Sequence, residues 1–148
     1  MGRVQRSITV DLPVQTVYNQ WTQFEEFPEF MEQVESVTQL DDKRLHWVAE
    51  IGGRRREWDA EIVNQEPDRR VAWRAIDGKT NAGVVRFQPE TGERTKVDVE
   101  VEYDTEGFTE KAADAMGIIE DRVEGDLERF KKFIESRGVE TGAWRGRI

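Results

Sequence analysis

His46 is the only histidine in the chain, and there is no cysteine. Those two facts remove most of the chemistry that a small protein performs with its own side chains. Without cysteine there is no disulfide, no thiolate nucleophile and no thiolate-ligated zinc or iron–sulfur cluster. One histidine cannot supply an HExxH helix or a two-histidine site, so no metal is expected. A serine triad would need His46 beside Ser7, Ser36 or Ser136, and none of these stands in a nucleophile-elbow sequence. Neither GxGxxG nor a P-loop lysine motif occurs, which argues against dinucleotides and nucleoside triphosphates; no cofactor is expected. Acid–base work is left to Tyr18, Tyr103, arginines such as Arg6 and Arg56, and carboxylates.

Against this shortage of reactive groups stand five Trp, seven Phe and two Tyr. The chain is rich in surfaces that bind and poor in groups that react. Its 22 Lys and Arg face 31 Asp and Glu, a net charge of −9. That balance disfavours nucleic acid, because neutralising phosphates needs clustered cations. No apolar run approaches the ~20 residues of a membrane helix, so no membrane insertion is expected. Met1–Arg6 leads directly into a strand pattern, without the features of a signal peptide, and a cytoplasmic location is the expectation. The 148 residues predict a single domain over 1–148, its core at about 3–137 and a tail at 138–148.

The elements that must position these side chains follow from hydrophobic period. Val4, Ile8 and Val10 share one face of a first strand. Asp11-Leu12-Pro13 then opens a helix, since Pro suits the first helical position. Val14, Val17, Tyr18 and Trp21 form its buried stripe, and Phe24, Phe27, Phe30 and Met31 continue at helical spacing around Pro28. From about Val34 the period changes to two. Leu45, Trp47, Ala49 and Ile51 alternate with polar neighbours, as do Trp58, Ala60 and Ile62, then Val71, Trp73 and Ala75, then Val85 and Phe87, then Val97 to Tyr103. Turn chemistry at Asp41-Asp42, Gly52-Gly53, Pro67-Asp68, Asp77-Gly78 and Thr91-Gly92 separates the runs, predicting an antiparallel meander with one wet face. Phe108, Ala112, Met116, Ile119, Val123, Leu127, Phe130 and Ile134 step by three and four. They predict one helix from about Thr109 to Arg137, ended by Gly138 and laid across the apolar face of the sheet.

Strand, two short helices, six-strand meander and long C-terminal helix make an α+β helix-grip fold. Its curved antiparallel sheet of about seven strands wraps the last helix. Ile8–Val14 with Val17-Tyr18, Phe24-Glu25-Glu26-Phe27-Pro28-Glu29-Phe30-Met31, Gly78–Phe87 and Thr95-Lys96-Val97 occur in the matching order. On these segments the chain resembles the START-like SRPBCC superfamily of polyketide cyclase/dehydrase and lipid-transport proteins, and its coenzyme-Q-binding-like branch most of all. The resemblance covers about residues 3–137. It implies an apolar cavity between sheet and long helix, in a superfamily that includes lipid and quinone carriers, hormone receptors and aromatase/cyclases. Fold membership does not choose among these.

The expected cavity wall is Trp47, Trp58, Trp73, Phe87 and Tyr103 from the sheet, faced by Met116, Ile119, Val123 and Leu127 from the helix. Either these residues line a pocket for a planar or chain-like apolar ligand, or they fill the core. The first reading makes the protein a binder or carrier of a small hydrophobic or aromatic molecule, polyketide-like, quinone or lipid. The alternative is a polyketide aromatase/cyclase or dehydratase, with Tyr103 and Arg56 as catalytic candidates. A third is an interaction protein working through a sheet edge or Arg54-Arg55-Arg56. Arg6, Arg56 and Asn81 either orient a ligand oxygen or sit in water and loops. Trp144 either docks back on the domain, the favoured reading, or seats in a second copy to give a homodimer. His46 is expected on the outer face.

Overall fold

Alternation of side chains along the strands sets the architecture, and the helices are laid against the face it leaves apolar. The computed structural model describes residues 2–51, 54–76, 81–103 and 112–148, with the side chains of all but 51 and 112–116. Strand β1 (Gly2–Val10) is followed by helix α1 (Val14–Trp21) and a short 3-10 helix (Phe24–Glu29). The meander comprises β2 (Val34–Gln39), β3 (Arg44–Ile51), β4 (Arg54–Glu66), β5 (Arg70–Ala75), β6 (Asn81–Thr91) and β7 (Arg94–Tyr103). Helix α2 (Ala112–Arg137) follows. The sheet order is β1-β7-β6-β5-β4-β3-β2, antiparallel throughout. The α+β helix-grip architecture is therefore present, with seven strands.

Local details differ from expectation in two places. Pro13 has extended backbone and caps α1 from outside, one residue before its expected place. The segment around Pro28 forms a 3-10 helix, because proline has no N–H for an interior α-helical bond. The predicted turns at 52–53 and 77–78, and Phe108, lie outside the described residues.

Helix α2 ends as its sequence dictates. Gly138 takes φ +73°, the left-handed conformation that glycine adopts without strain, and its N–H donates to the Ile134 carbonyl at 2.8 Å. Phe130 and Ile134 are fully buried, and Phe130 meets Trp21 at 5.1 Å and Phe30 at 5.2 Å between ring centroids. Phe27 links Trp21 at 5.2 Å to Trp47 at 5.6 Å, so one chain of rings joins α1, the 3-10 helix, α2 and β3. Such edge and tilted contacts add about 0.5–1.5 kcal/mol each beyond their area.

The tail docks, as expected. Gln20, buried on α1, exchanges two bonds with Thr141, one from its amide to Oγ1 at 3.1 Å and one from the Thr141 N–H at 2.8 Å. Asn19 donates to Glu140 at 2.9 Å, and the Trp144 N–H donates to Thr22 Oγ1 at 3.0 Å. Ile148 pairs through its backbone with Gln65 of β4, at 2.9 and 3.0 Å. β3 stops opposite Glu61, and Ile148 caps the strand beyond that point. An unpaired strand edge invites other chains, and this one is covered.

One cross-strand pair fixes an aromatic. Trp73 of β5 stands opposite Gly83 of β6. A Cβ at Gly83 would lie 2.7 Å from the Trp73 ring and 2.5 Å from the Glu100 carbonyl oxygen. The indole therefore occupies the place of the missing side chain. Gly83→Ala is expected to destabilise the fold by about 1–3 kcal/mol in urea unfolding, the range of overpacking. Gly92→Ala, with nothing within 4 Å, should stay within about 0.5 kcal/mol of the parent.

Candidate ligand-binding cavity

Between the inner face of the sheet and the middle of α2 lies a cavity of about 170 Å³. Its sheet wall is built by period two. Trp47 and Trp58 face each other directly across β3 and β4, and their rings stack at 5.8 Å and 7°. Trp73 continues the wall on β5, opposite Ile62, and Val99, Val101 and Tyr103 extend it on β7. Ile119, Val123 and Leu127 face them from α2, four residues apart and hence on one side of the helix.

Of the residues expected to form this wall, Trp47, Trp58, Trp73, Tyr103, Ile119, Val123 and Leu127 do line the cavity. Phe87 does not. It points to the inner face, as its register requires, but meets Tyr18 edge-on at 5.3 Å and Trp21 at 6.3 Å, within the packed core. The Met116 side chain lies outside the described residues. Four lining residues were not assigned to the wall by period, Trp21, Phe24 and Phe27 from the short helices and Met31 just beyond them. Their helical spacing marked them as buried, without showing that they close one end of a cavity.

Polar groups are few. Arg56 and Asn81 line the cavity, and Trp73 Nε1 donates to Asn81 Oδ1 at 3.0 Å. Burial, then the nearby Glu120 carboxylate, raises the pKa of the Tyr103 phenol, which keeps it protonated. Arg122 and Asp126 of α2 also reach the lining, a pair that the apolar stripe did not single out. Their i, i+4 spacing beside Ile119 and Val123 is the signal that could have found them. Arg6, in contrast, joins Glu120 at 3.0 Å.

The remaining candidates are on other surfaces. Arg55 pairs with Glu35 at 3.0 Å and Glu57 at 3.3 Å, so Arg54-Arg55-Arg56 is divided between the wet face and the cavity. His46 lies on the outer face of β3, its Nδ1 at 2.7 Å from Asp59 and its Nε2 at 3.2 Å from Glu57. Among the described residues no group of three or more His, Asp or Glu is placed to hold a metal ion.

Residues 10–132 match the family described as polyketide cyclase / dehydrase and lipid transport. The chain belongs to this family. Its fold agrees with two solved structures. A START superfamily protein from Mycobacterium smegmatis aligns with TM-score 0.81 at 12% identity, over 91% of this chain and 98% of that one. The Zhui aromatase/cyclase from Streptomyces sp. R1128 aligns with TM-score 0.78 at 17% identity, over 97% and 99% of the two chains. A protein of Streptomyces lincolnensis described as an uncharacterized 17.2 kDa protein is 49% identical over 100% of this chain and 99% of its own. At such identities the two structures carry the fold, and the cavity must carry the function.

The carboxylates of Asp59, first, and Glu57 hold His46 above the ordinary imidazole value of 6.5. The folded-state pKa is thus the higher one, and the stability this pairing adds is whole below about pH 6.5 and lost as the pH rises through the folded value. Proton NMR titration should show His46 titrating above 6.5, and the double substitution D59N/E57Q should bring it back towards 6.5.

Proposed function

We propose that this protein binds, and by binding carries or sequesters, a small hydrophobic or aromatic molecule in the cavity beneath α2. The observation that carries this reading is a space of about 170 Å³ walled largely by indole and aliphatic side chains beside a buried aromatic core. Native cores are packed to crystal density, with few voids larger than a water. An apolar hole of ~150 Å³ in another protein stays dry and takes up benzene, so the space suits one substituted ring or a fused pair. Burial at roughly 25 cal/mol per Å² of apolar surface would supply the affinity. Quinones and short lipids fall in the same class.

Ring closure in a poly-β-keto chain, assisted by Tyr103 and Arg56, is the second reading, since both residues line the cavity. Its difficulty is volume. A space that suits a ring leaves little room for a long chain held in a reactive fold, so holding is the stronger reading.

Five tryptophans make the test specific. Addition of 1-naphthol, menadione or decanoate should move the indole N–H signals of Trp47, Trp58 and Trp73 saturably in nitrogen–proton NMR spectra, while Trp144 stays still. Val123→Trp, which fills the cavity from α2, should abolish the response without unfolding the protein. If none of the three probes gives saturable shifts in the parent, the binding function is wrong.

A further inference from the structure

Arg122 of α2 lines the cavity beside a carboxylate, Asp126. That carboxylate is already held by Arg129, whose Nη2 lies 2.6 Å from Oδ1. Arg122 reaches the same carboxylate only at 3.9 Å and donates from Nη1 to the Glu50 carbonyl oxygen at 2.7 Å. A guanidinium carries five N–H donors in a planar fork, so these contacts leave it capacity for an acceptor. The Arg122 side chain is only 15% exposed. Burial pulls its pKa below the usual arginine value, against the attraction of Asp126 and Glu50, yet arginine keeps its proton at neutral pH.

The other polar atoms agree in sign. The Nε1 groups of Trp47 and Trp58 are buried donors with no hydrogen-bond partner among the described residues. The Asn81 Oδ1, an acceptor, is engaged by Trp73. A buried donor without an acceptor costs about 1–3 kcal/mol, and an occupant bearing acceptor oxygens can recover part of that. An occupant bearing only donors cannot.

We infer that the molecule held in the cavity is an aromatic acid, a one- or two-ring arene whose carboxylate pairs with Arg122 while its rings lie among the indoles. This assignment rests on the binding function proposed above and names the ligand class. The planar fork of a guanidinium matches a carboxylate in two parallel hydrogen bonds, and such charge-assisted bonds are roughly twice as strong as neutral ones.

Calorimetric titration of the protein with 2-naphthoate and with 2-naphthamide, equal in shape and different in charge, tests it. The parent should bind the acid at least about tenfold more tightly than the amide, the smallest ratio expected of one charge-assisted contact. R122Q should remove that preference, with its fold checked independently by circular dichroism and thermal unfolding. R122K should restore part of it. If the parent binds both compounds equally, or the amide better, the acid assignment is overturned and the binding function stands. A preference for the acid that survives in R122Q overturns the role of Arg122. Failure of both compounds to bind the parent, with naphthol, menadione and decanoate also inert, overturns the binding function itself. Should R122Q not fold, the acid-to-amide ratio of the parent still decides the ligand class.

Discussion

Helix α2 is sealed against the sheet by rings along one stretch and stands over a cavity along another, and this contrast governs the molecule. At ~1.5 Å per residue the 26 residues of α2 span roughly 39 Å. Its C-terminal half is sealed by rings. Phe130 and Ile134 have no exposed surface, and Trp21, Phe30 and Phe87 fill the space around them. Its middle, from Ile119 to Leu127, faces the stacked indoles of Trp47 and Trp58 across the cavity. The ring chain from Trp21 through Phe27 to Trp47 sets where packing stops and the cavity begins.

Polar contacts then hold α2 at that distance. Arg122 bonds the carbonyl oxygen of Glu50 at the end of β3, and Arg129 bonds that of Phe30 beyond the 3-10 helix at 2.9 Å. Both arginines share Asp126, whose burial raises its pKa while the Arg129 hydrogen bond opposes the shift. Lys131 ties the same helix to β1 through the Thr9 carbonyl at 2.9 Å. Apolar packing and these cation-to-carbonyl bonds together hold α2 over the cavity. The charges of the wet face are a separate matter. Arg86 between Asp98 and Glu100, and Arg3 on Glu100, are cross-strand pairs that keep an acidic surface balanced locally.

Much of this was legible in the sequence, because period reports which face a side chain occupies. The alternation at Val97, Val99, Val101 and Tyr103 and the stripe from Ile119 to Ile134 give the two walls directly. The shortage of reactive groups, one histidine and no cysteine, argued for holding over transformation before any geometry was known. Period does not report depth along an element. Phe87 and Trp73 share the inner face, yet Phe87 sits in the sealed half and Trp73 in the open one. Nor does it foresee partners far away in sequence. Asn19 and Gln20 resemble exposed helix residues until Glu140 and Thr141 cover them, more than a hundred positions later. Arg122 and Asp126 belonged, on period alone, to the border of the apolar stripe. Only the curvature of the sheet turns that border into cavity lining.

The central claim is that the space beneath α2 is a binding site for an aromatic molecule. A crystal of this protein soaked with 4-bromobenzoate tests it most directly, because anomalous scattering locates the bromine without a prior hypothesis. The account predicts bromine inside the cavity among Trp58, Trp73 and Leu127, with the carboxylate on Arg122. An empty cavity, with bromine only at surface positions or nowhere, would contradict it.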